Sequence, residues 1–167
     1  MLFDSLNIFD NISFALHERK DLRKKYTKEE IKKIVEDKLR VVGLEGIENK
    51  YPHELSGGMQ KRVSFARAIV TNPQVILYDE PTAGLDPVTS TVIENYINTL
   101  RHELGVTSII VTHQLSTIMS CADKVIMFYE GHIVFKGTPH ELKTSDNPYA
   151  KQFIEASVEG PMKMMMS

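Results

Sequence analysis

Residues 73–113 read PQVILYDEPTAGLDPVTSTVIENYINTLRHELGVTSIIVTH, and this stretch decides the fold. VILYDEP (75–81) is a short, continuously apolar run ending in two acids, the pattern of a strand buried on both faces. The period then turns helical, with Asp86 at the N-cap, Pro87 at the first helical position and Gly105 at the end. VTSIIVTH supplies a second buried strand. Strand, helix and strand in this order predict a right-handed parallel βαβ unit, and so an α/β fold. Ligands of such sheets sit at the carboxyl ends of the strands, which is where Asp79, Glu80 and His113 fall.

Upstream of this unit the spacing is helical. HELSGGMQKRVSFARAIVTNP (53–73) reads as a turn feeding a helix that stops before Asn72-Pro73. In TKEEIKKIVEDKLRVVGL (27–44), Thr27 and Glu30 form a capping box, and Gly43 ends the run. Ile31, Ile34, Val35, Leu39 and Val42 keep one apolar face. LFDSLNIFDNISFAL (2–16) predicts a short helix capped by Asp10 or Asn11, followed by the charged stretch HERKDLRKKY.

Downstream, QLSTIMSCA (114–122) predicts a short helix. DKVIMFY and HIVFKG predict two strands joined by a tight turn at Glu130-Gly131. TPHELKTS and PYAKQFIEAS predict surface helices, and GPMKMMMS (160–167) a loose tail. The expected organisation is a helical subdomain over 1–72, a parallel core with its hairpin and helices over 73–156, and a tail over 157–167.

Twenty basic side chains against 22 acidic ones leave a formal charge of −2, which gives no electrostatic case for nucleic acid or an anionic membrane as main partner. One cysteine, Cys121, cannot form an internal disulfide and fits a reducing cytoplasmic setting. No apolar run approaches the roughly 18 residues a membrane-spanning helix needs. The first residues lack the basic and apolar regions of a secretory signal.

Four short motifs carry chemistry. In LSGGMQKR (55–62), Ser56, Gly57 and Gly58 open a helix whose free N–H groups and dipole suit a phosphate; an ordinary N-cap with a glycine turn fits the same letters. In VILYDEP, Asp79 suits Mg²⁺ and Glu80 an attacking water, although a pair of solvated acids at a strand end also fits. AGLDP (83–87) is a loop and helix start with Asp86 as cap. IIVTH (109–113) ends in His113, which alone reads equally as a structural histidine.

LSGG, then an apolar strand ending in DEP, then GLD, then a strand ending in TH resembles the ABC transporter ATPase family, from Leu2 to about Ile154. The resemblance implies part of a P-loop NTPase fold, in which two copies sandwich two ATP molecules. It implies Ser56, Gly57 and Gly58 on the γ-phosphate of ATP held by the partner copy, and Asp79 assisting Mg²⁺. Glu80 would act as catalytic base, His113 would reach the γ-phosphate, and Asp86 would belong to a loop that contacts the other copy. The opening segment with Phe3, Leu6, Ile8 and Phe9 resembles the surface where a transmembrane permease subunit docks; simple packing is the other reading.

YPHELSGGMQKR, ILYDEPTAGLDPVTS, VTHQLST and NPYAKQFIEASVEGPM are similar to the lipid-transport, Mla-like branch, whose members work with a permease and an MCE-type lipid-binding protein. That resemblance places the chain peripherally on the cytoplasmic face of the inner membrane. Met59 stands where many signatures carry Gln. Neither GxxxxGK[ST] nor the family's upstream aromatic and glutamine motifs occur in the 167 residues. The expectation is therefore a C-terminal fragment, beginning just past that glutamine and inactive by itself. The alternative is a non-catalytic interaction module that docks on a permease or pairs with a complete ATPase.

Overall fold

A computed structural model describes residues 2–163, which divide after Val111 into two compact units. In the first unit α1 spans Ile8–Glu18. Its N-cap is Asn7, whose Oδ1 accepts from the Asp10 N–H at 2.8 Å, rather than Asp10 or Asn11. Asn11 is fully buried within the helix instead. Its amide donates to the carbonyls of Phe3, Leu6 and Asn7 and accepts from the Phe3 N–H, which ties the incoming chain to α1. A buried amide needs such partners, and the chain entering the helix supplies them.

The second helix, α2 (Lys28–Val41), starts at the expected capping box. Glu30 N–H donates to Thr27 Oγ1, and the Thr27 N–H donates to the Glu30 carboxylate. After a 3-10 turn at Pro52–Glu54 comes α3 (Gly57–Ile69). These three helices pack on one another and enclose Ile8, Ile12, Leu16, Val35, Leu39, Val63 and Ile69.

Strand β1 (Val75–Asp79) pairs in parallel with β2 (Thr107–Val111), in the register Leu77 to Ile109 and Asp79 to Val111. Between them runs α4 (Pro87–Leu104), capped by Asp86 and closed by Gly105 at φ +61°, the left-handed conformation a helix stop favours. The predicted strand–helix–strand order and parallel pairing hold. Burial on both faces does not. Ile76 and Tyr78 are each 4% exposed, and the Phe65 ring of α3 meets Tyr78 edge-on at 5.3 Å. The alternate residues point the other way: Leu77 is 74% exposed, Ile109 52% and Val111 61%. Successive strand residues face opposite sides, and among the described residues only one side of this two-stranded sheet is covered.

The second unit holds α5 (Leu115–Cys121) and an antiparallel hairpin of β3 (Val125–Tyr129) and β4 (His132–Gly137). Its turn residues Glu130 and Gly131 both have positive φ, +47° and +79°, as the twist of a two-residue hairpin loop requires. Helices α6 (Pro139–Thr144) and α7 (Pro148–Glu155) are more than surface decoration: Leu142 and Ala150 join Ile118 in a small core. The following segment, expected to be loose, folds back as far as Lys163. The Gln152 side chain accepts from the Met162 N–H at 2.7 Å and donates to the carbonyls of Ser157 and Met162, and the Lys163 N–H donates to the Tyr129 hydroxyl. Residues 164–167 lie outside the described residues. No helix among the described residues is long and apolar enough to cross a membrane.

Candidate functional site

The site is built where α3 begins and β1 ends. Ser56 caps α3, its Oγ accepting from the Met59 N–H at 3.3 Å. Gly57 and Gly58 therefore open the first turn, with free N–H groups at the positive end of a 13-residue helix. Behind them lies an open cleft of about 900 Å³, lined by Gly57, Lys61, Ser64, Leu77, Asp79 and Gly84.

Asp79 closes β1 and is exposed at its carboxyl end. Glu80 follows with φ +43°, a left-handed conformation that costs a non-glycine residue about 1–3 kcal/mol. Its backbone is held on both sides. The N–H donates to Val111 O at 2.9 Å, while the carbonyl accepts from the Ala83 N–H at 3.2 Å and from Lys61 Nζ at 3.1 Å. Two adjacent acids thus leave the sheet from different backbone conformations.

Asp86 caps α4, its Oδ1 accepting from the N–H groups of Val88 and Thr89, each at 3.0 Å. The Thr89 hydroxyl, and then the Thr89 and Val88 amides, hold the Asp86 carboxyl below its ordinary value of 3.8. The same Thr89 meets the glycine turn: a Cβ added to Gly58 would lie 2.7 Å from Thr89 Cγ2. A side chain at Gly58 would therefore force Thr89 to shift.

Arg62 is structural. Its Nη1 donates to Val42 O at 3.1 Å and Gly43 O at 3.3 Å, and the guanidinium lies 5.6 Å from the Tyr96 ring centre. It ties the end of α2 to α3 and α4.

The expected residues Ser56, Gly57, Gly58, Asp79, Glu80 and Asp86 all fall in the first unit. His113 belongs to the second, exposed, two residues past β2, with its Nε2 3.3 Å from the Gln114 side-chain amide nitrogen. Two contributors escaped the sequence reading, Lys61 and Thr89. Lys61 was traceable, because residues three and four positions past a helix's first turn share its face. Thr89 was not, since its contact with Gly58 is tertiary. At the opening segment Ile8 is buried, whereas Phe3 remains on the surface under the Arg67 guanidinium at 4.3 Å and against Phe14 at 4.8 Å.

No group of three or more metal-ligating side chains occurs among the described residues. Asp79 lines the cleft and is a hard oxygen donor of the kind that would hold Mg²⁺.

The sequence profile of the ABC transporter family matches residues 1–83. The chain is 43% identical to the chloroplastic protein TRIGALACTOSYLDIACYLGLYCEROL 3 of Arabidopsis thaliana, over 97% of this chain and 50% of that protein. It is 36% identical to the intermembrane phospholipid transport system ATP-binding protein MlaF of Escherichia coli, over 96% of this chain and 58% of that one. The chain spans about half the length of these curated relatives. Among solved structures it is similar to the ATP-binding cassette MJ0796 in a post-hydrolysis state bound to ADP and Pi, with a TM-score of 0.70 and 31% identity, over 83% of this chain and 59% of that one.

Proposed function

The chain belongs to the ABC transporter ATP-binding family, and from that premise we propose that it forms part of an ATPase subunit that energises phospholipid or lipid transport. The observation that carries the proposal is Asp79-Glu80 at the carboxyl end of β1, in the same unit as the glycine-opened start of α3. In this reading Glu80 accepts a proton from water as the water oxygen bonds to the γ-phosphorus of ATP. The bond to the bridging oxygen breaks, leaving ADP and phosphate. Asp79 would hold Mg²⁺, which offsets the negative charge of the phosphates. Ser56, Gly57 and Gly58 would meet the γ-phosphate of ATP bound to a second copy, His113 would reach the γ-phosphate, and Asp86 would sit at the interface between copies.

The partners in this reading are a transmembrane permease subunit, a second ATPase copy and an MCE-type lipid-binding protein, and the setting is the cytoplasmic face of the inner membrane. The names of the two curated relatives support the lipid branch, and the ADP and phosphate held by the similar cassette support hydrolysis.

The 167 residues contain no GxxxxGK[ST], the element whose backbone N–H groups and lysine hold the β- and γ-phosphates. We therefore expect no ATP turnover from these residues alone, and expect a segment bearing that loop to cover the open face of β1 and β2. The alternative, an interaction module paired with a complete ATPase, shares the α3 site but never turns over ATP. The test is Glu80→Gln in a form of the chain joined to a P-loop-bearing segment. Turnover should fall about 10²–10⁴-fold with ATP binding intact. Unchanged turnover removes Glu80 from the reaction.

A further inference from the structure

We propose that Lys61 is the residue that positions Glu80, so that the glycine-opened helix sets the conformation of the catalytic strand end within its own chain. The proposal rests on the hydrolytic role given to Glu80 above. Lys61 lies on the first turns of α3, and its ammonium donates to the Glu80 carbonyl at 3.1 Å. Glu80 is one of four non-glycine residues with positive φ among those described, and it directly follows the strand whose end carries the chemistry.

A left-handed glutamate persists only where its surroundings over-determine it. The Val111 carbonyl and the Ala83 N–H constrain Glu80 from the sheet and from its own turn. Lys61 reaches it from α3. A carbonyl accepting both a turn N–H and a charged donor is held in orientation, because charge-assisted hydrogen bonds are the stronger kind. The amide that follows, and with it the direction of the Glu80 side chain, is thereby coupled to α3.

Two further contacts join the same pieces. Leu85 approaches Gly57, and Thr89, whose N–H donates to Asp86, packs its methyl where a side chain at Gly58 would go. The start of α3 and the connection from β1 to α4 are therefore interlocked at Lys61, Gly57 and Gly58. Any displacement of the glycine turn by a bound phosphate would act on Glu80 through Lys61.

The test uses two measurements. In the P-loop-bearing form, Lys61→Met should lower kcat roughly 10- to 100-fold, the scale of a small misplacement of a reacting group, while KM for MgATP changes less than about twofold. Lys61→Arg, which keeps a charged donor, should recover most of that loss. In the 167-residue chain, the Glu80 Cα and Cβ chemical shifts should move from left-handed toward extended values in Lys61→Met and Lys61→Gln, and stay put in Lys61→Arg. The inference is overturned if kcat survives Lys61→Met, if arginine rescues nothing, or if the Glu80 shifts do not move. A Glu80→Gln control that turns over normally would instead remove the underlying reading, leaving the shift measurement to judge the backbone coupling alone.

Discussion

In the helical layer Ile12, Val35, Leu39 and Val63 are fully enclosed, whereas on the neighbouring β1–β2 pair Leu77, Ile109 and Val111 stand open to solvent. Both belong to one compact unit. The difference lies in how each element presents its apolar side chains. An amphipathic helix gathers them on one stripe, so α1, α2 and α3 complete a core with one another. A parallel strand carries them on both faces and needs cover on both. The helical layer is self-sufficient, while the sheet that ends in Asp79 and Glu80 is not.

The largest expected effect sharpens this contrast. Leu39→Ala should cost about 2–5 kcal/mol, as for a buried leucine whose cavity cannot collapse. Leu77→Ser, on the open face, should change stability by no more than about 0.5 kcal/mol and reduce concentration-dependent self-association. Urea unfolding of the two variants, with light scattering alongside, decides the matter. Equal losses would mean that the β1–β2 face is covered after all.

A smaller effect concerns the ends of the helices. Thr27→Ala removes the acceptor for the Glu30 N–H and should lower the stability of the helical layer by about 1 kcal/mol, read as a lower urea midpoint. No change would show that α2 is held by packing alone.

The smallest effect is electrostatic and sits at the sheet-side connection. The folded-state pKa of Asp86 is depressed, so its contribution is fully present above 3.8 and is lost as pH falls through the lower folded value. Asp86→Asn keeps a capping oxygen without the titration. The stability difference between the native chain and Asp86→Asn should be flat above the ordinary carboxylate range and shrink below 3.8. A difference that grows on acidification would contradict the sign.

Local chemistry was readable wherever the partners are close in sequence. The Thr27–Glu30 box, the Asp86 cap with Pro87, the Gly105 stop and the Glu130-Gly131 turn all form as their letters predict. The helix cap at Asn7 was misread because Asn11 offers the same side chain, and only burial shows that Asn11 bonds back to the entering chain. The folded-back segment through Lys163 was missed for a similar reason. It depends on Gln152 and Tyr129, ten and more residues away, and no short pattern encodes that pairing.

By itself, the sequence determined the order of elements, the family and the residue types at the site, because periodicity, capping and the LSGG, DEP and GLD strings are local properties of the chain. The tertiary structure alone decided three things: which face of β1 is covered, what a side chain at Gly58 would collide with, and that Lys61 grips the carbonyl of a left-handed Glu80. Each depends on contacts between elements that are distant in sequence. Their distances are set by how helices and strands pack, which no periodicity along the chain records.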